Sequence, residues 1–233
     1  MFMAPSVDGA SFKDILMQQR IVLVHATPLA MGPIADAFAH QWPEASVSNL
    51  LDDALSVDRR RVEKLDARLY QRIDDLVEYS QSMGACAILF TCSAFGEAID
   101  ASAAGQPIPV LKPNDAMFEQ ALKTGNRIVM LATFGPAVAG MEAEFAGMAA
   151  RINPHATLRS IVLAGAREAL EKNNPDLHNR LLAEKAATIS DADVILLAHF
   201  SIAIALEQVQ SAVSCPVLSS PQAAVNKLKS LLK

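Results

Sequence analysis

The sequence predicts an α/β protein made of two pseudo-symmetric, parallel-sheet (Rossmann-like) domains with a ligand site in the cleft between them. Short apolar runs, typical of strands buried on both faces, alternate with segments of helical spacing along the chain. Three of these runs also recur at a constant distance of 107 residues. Because strands that alternate with helices form parallel sheets, and because repeats at a fixed distance indicate duplication, we expect one sheet in each half.

The repeat is clearest where an apolar run ends in a titratable residue. Ile88 to Cys92 aligns without a gap with Ile195 to His199, and a helical segment follows each run. Three pairs of runs keep the spacing: 88–92 with 195–199, 109–111 with 216–218, and 21–23 with 128–130. One short apolar match arises easily by chance, but three that agree favour an internal duplication.

The first half is predicted to hold four strands and four helices. The strands are expected at 20–25, 47–51, 85–90 and 109–111, and the helices at 34–40, 58–84, 97–104 and 113–123. The long helix is predicted because apolar residues from Val62 to Val77 recur at helical spacing, and Gly84 is a plausible stop. Met1 to Leu16 is expected to be an extension that covers the surface.

The second half repeats this alternation. Its strands are expected at 127–131, 158–163, 194–198 and 216–218. Its helices are expected from the 132–136 loop to about 153, and at 176–190, 202–211 and 222–232. In parallel sheets ligands bind beyond the carboxyl ends of the strands, so four strand ends are expected to form the site.

Composition limits the class of protein. The 233 residues carry a formal charge of −5, which argues against a nucleic-acid surface. Three widely spaced cysteines form neither a disulfide framework nor a zinc signature, and Met1 to Phe12 does not resemble a signal peptide, so we expect the cytoplasm. The longest uncharged run, 194–206, is shorter than the roughly 20 residues of a bilayer span, so no membrane partner is expected.

Cys92 and His199 are the candidate catalytic residues because they end equivalent strands in the two halves. Cys92 also precedes a predicted helix, whose N-terminus favours a thiolate. If the halves face each other, the two side chains address one ligand from opposite sides, as inversion at a carbon requires. The structural alternative is that Cys92 is a small buried residue and that His199 is a hydrogen-bonded core histidine.

The remaining strand-end residues are candidates for substrate binding: Thr27, Pro28, Ser93, Ala94, Thr133, Phe134, Gly135, Phe200 and Ser201. Hydroxyl groups at helix N-termini favour a carboxylate, although each can equally be a helix cap without a ligand. His25 could belong to the core, and Cys86 and Cys215 are taken as structural. No metal-ligand spacing and no glycine-rich phosphate loop occur, so neither a metal nor a cofactor is expected.

Several segments resemble the aspartate/glutamate racemase superfamily, which includes hydantoin racemases, maleate isomerases and arylmalonate decarboxylase. The resemblance rests on residues 24–28, Phe90-Thr91-Cys92-Ser93-Ala94-Phe95, residues 131–133 and residues 193–201, in that order, and 216–218 with Pro221 also fits. It implies two pseudo-symmetric α/β domains with a cofactor-free site between them. It also implies that the C-terminal segment returns to the first domain, which gives 1–114 plus 216–233 as the first domain and 115–215 as the second.

The sequence departs from that family at one position. The family's racemases have a cysteine at both strand ends, whereas this chain has His199 at the second. The expected function is proton transfer at the α carbon of a small carboxylate, of amino-acid or hydantoin type, by a racemase, epimerase or isomerase. Two alternatives remain: a decarboxylase or lyase that uses a single cysteine, and a non-catalytic protein that binds a small molecule. A homo-oligomer is possible.

Overall fold

Two four-stranded parallel sheets, one in each half of the chain, form the frame of the protein. A computed structural model describes residues 19–233, so the extension predicted at 1–16 lies outside the described residues. The first sheet contains β1 (Arg20–His25), β2 (Ser46–Leu51), β3 (Ala85–Phe90) and β4 (Val110–Leu111). The second contains β5 (Arg127–Ala132), β6 (Thr157–Val162), β7 (Val194–Leu197) and β8 (Val217–Ser219).

Both sheets have the same strand order. The first runs β2-β1-β3-β4 and the second runs β6-β5-β7-β8, with every neighbouring pair parallel. The central strands are almost fully buried, as their continuous apolar sequences predict. This repeated topology confirms the predicted α/β fold class with two equivalent halves.

Helices cover the faces of the sheets. The first half contributes α1 (Met31–Gln41), α2 (Ala54–Arg59), α3 (Ala67–Ser82), α4 (Gly96–Ala103) and α5 (Asp115–Thr124). The second contributes α6 (Val138–Ile152), α7 (Ala164–Glu171), α8 (Pro175–Ala187), α9 (Leu206–Ala212) and α10 (Ser220–Leu232). Within residues 19–233, none of the helices has the length and apolarity needed to cross a bilayer.

The single long helix predicted at 58–84 is wrong. The chain forms α2 and α3 instead, and the carboxylate of Asp66 caps α3 by accepting the Leu69 N–H at 3.0 Å. The apolar residues Val62 and Leu65 lie in the intervening loop and still pack against the core, which is why they matched the helical spacing. The sequence analysis also missed α7, a short helix that follows β6.

The last helix of each half packs on the opposite half. Helix α5 follows β4 of the first sheet but contacts β7 and α6 of the second half. Helix α10 follows β8 of the second sheet, and its Ala224, Val225 and Leu228 share an apolar cluster with Ile21 and Leu23 of β1. Residues 216–233 therefore divide between the halves, because β8 pairs with β7 and only α10 returns to the first half.

A continuous apolar core joins the halves. Its buried members include Phe90 at the end of β3 and Met130 within β5. Phe118 of α5 meets Phe145 of α6 edge to face, with ring centroids 5.5 Å apart. Because close-packed interiors resist deformation, this shared core fixes the strand ends of one half relative to those of the other.

Candidate functional site

The carboxyl ends of the four central strands meet where the halves meet. Each of these strands is followed by a short 3-10 turn before its helix begins, at Pro28–Ala30, Ser93–Phe95, Gly135–Ala137 and Phe200–Ala205. The 93–95 turn contacts the 135–137 turn, and the 28–30 turn contacts the 200–205 turn. The four predicted strand ends therefore come together in two cross-half pairs.

His199 connects the two halves through both of its ring nitrogens. The Phe134 backbone N–H donates to Nε2 at 3.2 Å, and Nδ1 lies 3.0 Å from the Ser93 Oγ. A backbone N–H can only donate, so Nε2 must carry a lone pair. A neutral imidazole then has its proton on Nδ1, which donates to Ser93 of the opposite half.

This arrangement keeps His199 uncharged. Burial, with a smaller contribution from the nearby Arg167 guanidinium, lowers the pKa of His199 to about 3. Protonation would also place a hydrogen on Nε2 directly against the Phe134 N–H. At neutral pH His199 is therefore a neutral hydrogen-bonding group between the halves, and neither nitrogen is free to exchange a proton with a ligand in this geometry.

Cys92 is half-buried at the end of β3. Burial is the largest influence and raises the pKa of the Cys92 thiol above its ordinary value, while the Ala94 backbone N–H and the charges of Arg167 and Arg59 oppose it. The expectation that a helix N-terminus favours the thiolate is not met, because α4 begins only at Gly96 and a 3-10 turn intervenes. Cys92 is thus mainly a protonated thiol at neutral pH.

Arg167 of α7 is the site residue that the sequence analysis missed. Its guanidinium carbon lies 4.7 Å from the centroid of the Phe134 ring, and its Nε donates to Glu171 at 2.9 Å. Its side chain is 17 % exposed, and its charge acts on both Cys92 and His199. Within residues 19–233 only Nε of Arg167 has a hydrogen-bond partner, so its terminal N–H groups are available to a ligand.

The structure assigns simpler roles to some predicted binding residues. The Thr27 Oγ1 accepts the Leu29 N–H at 3.4 Å, so Thr27 caps the turn that starts at Pro28. Phe200 is almost fully buried in the apolar cluster that covers β1. Thr133 and Ser201 are buried, and Gly135 begins the turn after β5.

His25 is a core residue that ties three strands together. It is fully buried, and its ring nitrogens lie 2.8 Å from the Thr91 Oγ1 and 2.9 Å from the Asn49 Oδ1. Burial lowers the pKa of His25, so the imidazole is neutral. Thr91 immediately precedes Cys92, and the His25 contacts therefore help to fix the end of β3. Cys86 and Cys215 are half-buried, away from these contacts.

Two grooves flank the point where the strand ends meet, with volumes of about 1100 and 300 Å³. Ten of the eleven residues that line the smaller groove lie 107 positions from a residue that lines the larger one. Lys112 corresponds in this way to Ser219, and Glu144 corresponds to Ala37. The duplication seen in the strand runs thus extends to the grooves. Neither Cys92 nor His199 lines either groove.

Within residues 19–233, no group of three or more histidine, cysteine or carboxylate side chains has an arrangement that could hold a metal ion. The functional groups at the site include a thiol, a hydroxyl that accepts from an imidazole, and a guanidinium with free N–H groups.

Comparison with known proteins identifies the fold. No protein-family model and no curated protein sequence matches this chain. Among solved structures, a glutamate racemase from Bacillus anthracis is 15 % identical and superposes with a TM-score of 0.70 over 92 % of this chain and 81 % of its own. The Picrophilus torridus aspartate racemase is 15 % identical, with a TM-score of 0.67 over 91 % of this chain and 94 % of its own.

An allantoin racemase from Klebsiella pneumoniae gives a similar result, with 14 % identity and a TM-score of 0.66 over 91 % of this chain and 87 % of its own. At these identities the likeness concerns the fold. The resemblance drawn from the strand-end motifs is therefore confirmed at that level: this chain has the two-domain fold of the glutamate, aspartate and allantoin racemases.

Proposed function

We propose that this chain is a cofactor-independent racemase or isomerase that moves a proton at the α carbon of a small carboxylate, with Cys92 at the reaction centre. The observation that carries the proposal is the convergence of the Cys92 thiol, the Ser93–His199 contact and the Arg167 charge where two duplicated sheets end. The fold shared with racemases of small carboxylates and of allantoin supports the same reaction class.

Arg167 is assigned to the substrate carboxylate. A guanidinium offers parallel N–H donors that match the two oxygens of a carboxylate. Its stacking on Phe134 and its bond to Glu171 hold the side chain in place, which reduces the entropy lost when a ligand binds. Its mostly buried position also strengthens the attraction, because the surroundings have a low dielectric constant.

Ser93 is assigned to the charge that develops on the substrate. Because His199 Nδ1–H donates to the Ser93 Oγ, the hydroxyl hydrogen is directed elsewhere and can donate to an enolate-like oxygen. Cys92 then supplies or removes the proton at carbon. Burial raises the pKa of the Cys92 thiol toward that of a carbon acid. The difference in pKa that the proton transfer must overcome is therefore smaller than with an unperturbed thiol.

A second candidate, a decarboxylase or other lyase, is favoured by the hydrogen bonds of His199. Inversion by two opposed proton carriers needs an acid or base on each face of the carbon, and both nitrogens of His199 are already bound. Loss of carbon dioxide needs only one donor, since the carbanion left behind takes a single proton. A protonated Cys92 thiol fits that step.

Turnover in deuterated water tests both candidates. Amino acids, hydantoins, small dicarboxylates and substituted malonates would be incubated with the protein and followed by NMR. A racemase gives deuterium at the α carbon of the inverted product, whereas a lyase releases carbon dioxide and leaves one deuterated enantiomer. No exchange and no product from any of these compounds would contradict an enzymatic role, and ligand-induced thermal stabilisation without turnover would then indicate a binding protein.

Substitutions assign the steps to residues. Cys92→Ala is expected to abolish turnover, whereas Cys86→Ala, a matched change within β3, should retain it. A two-sided racemase predicts that His199→Ala is as damaging as Cys92→Ala. A one-sided lyase predicts that His199→Ala is far milder, because His199 then acts only through Ser93 and Phe134.

A further inference from the structure

Arg59, the last residue of α2, is a buried arginine whose hydrogen bonds to residues 19–233 all go to backbone carbonyls. Its side chain donates to the carbonyls of Ala94 at 3.2 Å, Val62 at 2.8 Å and Pro136 at 3.1 Å. The residue is 8 % exposed, and it takes part in no salt bridge with the described residues. Since an unpaired charge is unfavourable in a protein interior, a neutral side chain would hold these carbonyls at lower cost unless the charge itself has a use.

The charge has a use near Cys92, through Ala94. The Ala94 carbonyl accepts from Arg59, and Ala94 lies in the 93–95 turn that begins directly after Cys92. A bond that fixes this carbonyl therefore also restrains the backbone next to the thiol. The charge of the same guanidinium favours the thiolate form of Cys92.

The other two bonds place this residue relative to both halves. Val62 lies in the loop after α2, and Pro136 lies in the turn after β5 of the opposite half. Arg59 thus holds the 93–95 turn against the 135–137 turn, where the strand ends of the two halves meet. Lysine could not reproduce this, because a single ammonium lacks the planar set of donors that reaches three separate carbonyls.

We infer that Arg59 is a positioning residue for Cys92, which holds the 93–95 turn that follows the thiol and keeps a positive charge near it. The charged groups that act on the Cys92 thiol are Arg59 from α2 and Arg167 from α7. His199, at the end of β7, is neutral and adds no charge. The two arginines have different roles, because Arg167 has free N–H groups that can bind a ligand whereas Arg59 is bound to the backbone.

The rate at which iodoacetamide alkylates Cys92 tests this inference without a substrate. The thiolate is the reacting species, so below the thiol pKa the rate falls about tenfold for each unit by which the pKa rises. Peptide mass spectrometry between pH 7 and 10 separates Cys92 from Cys86 and Cys215. In Arg59→Met the Cys92 rate is expected to fall about tenfold at each pH, which corresponds to one pKa unit for a nearby charge.

Three further variants make the result decisive. Arg61→Gln is the matched control, because Arg61 is exposed and pairs only with Asp58 at 3.4 Å, and its rate should stay within about twofold of the wild type. Arg59→Gln carries the test if Arg59→Met does not fold, which circular dichroism would show. Arg59→Lys should recover part of the rate, since it restores the charge but not the three bonds.

An unchanged or faster rate in a folded Arg59→Met or Arg59→Gln protein would overturn the inference. An opened site or a destabilised fold raises the alkylation rate, so a structural role alone gives the opposite sign. The catalytic meaning of Arg59 rests on the proposed function, but the two can fail separately. Turnover that requires Cys92, together with an unchanged alkylation rate in the Arg59 variants, removes this inference and leaves the function standing.

Discussion

Replacing Glu144 by glutamine is expected to remove a pH-dependent part of the stability. Glu144 of α6 lies in the larger groove, where one cation serves three carboxylates. The Lys112 Nζ is 2.8 Å from Asp100, 3.6 Å from Asp115 and 3.6 Å from Glu144. The Glu144 side chain is only 13 % exposed, so burial is the main cause that raises its pKa to about 7, with the two aspartates adding to the effect and Lys112 opposing it.

The sign and size of the effect follow from linkage. The pKa of Glu144 is 4.5 without these surroundings and about 7 in the folded protein. Between those values the folded state keeps a proton that the unfolded state has released, so the free energy of unfolding falls as pH rises from 4.5 to 7. At 1.36 kcal/mol per pKa unit the loss is about 3 kcal/mol, fully present as added stability below pH 4.5 and absent above pH 7.

Urea unfolding of the wild type and of Glu144→Gln, from pH 4.5 to 8, measures this quantity as a difference. The other titrating groups are common to both proteins and cancel. His199 is one of them, and its lowered pKa has the opposite effect, because it makes stability rise with pH up to about 6.5. Glu142→Gln, at an exposed position of the same helix, is the control and should show no such trend. A wild-type-minus-Glu144→Gln difference that stays constant with pH would refute the reasoning.

Two further substitutions test contacts at the junction between the halves. In Gly96→Ala the new methyl carbon would overlap the Glu144 Oε1, so the carboxylate must move away, and the same pH titration should lose most of its slope. Ser93→Ala removes the acceptor of the His199 Nδ1–H and should lower the free energy of unfolding by about 1–3 kcal/mol, measured in urea at pH 7. Ser201→Ala, at a buried hydroxyl that bonds to no described residue, is its control and should lower stability less than Ser93→Ala does, because no hydrogen bond is lost.

The sequence predicted the sheets because buried parallel strands leave a direct trace in it. Runs such as 85–90 and 194–197 are continuously apolar, and their 107-residue spacing reflects their equivalent places in two copies. The helix boundaries were harder to predict from the sequence. At 60–66 the apolar spacing was helical although the chain was a loop, because packing against the core alone can produce that spacing.

The site was predicted only in part, for a related reason. The positions of Cys92 and His199 followed from the repeat, but their protonation depends on neighbours that come from distant segments. Arg167 lies on a helix that the periodicity did not reveal, and the Phe134 N–H that fixes the His199 tautomer is a backbone group. One signal was available, since the helices after β2 and β6 are topological equivalents and each carries an arginine that acts on Cys92.

The two halves share the same backbone fold but differ in their charged side chains. Lys112 and Glu144 of one groove are replaced by Ser219 and Ala37 in the other, and the buried Ser219 hydroxyl has no described hydrogen-bond partner. The equivalent strand ends show the same pattern, with a protonated thiol in one copy and a neutral imidazole in the other.

A symmetric scaffold can hold two opposed proton carriers only while both copies retain a group that titrates within reach of the substrate. With its imidazole bound on both sides, the second copy contributes a hydrogen bond to Ser93 rather than a proton. We therefore propose that Cys92 of the first copy transfers the proton and that His199 of the second copy orients Ser93. If His199→Ala proves as inactive as Cys92→Ala while Ser93→Ala remains active, His199 must leave these hydrogen bonds when substrate binds, and two-sided racemisation is restored.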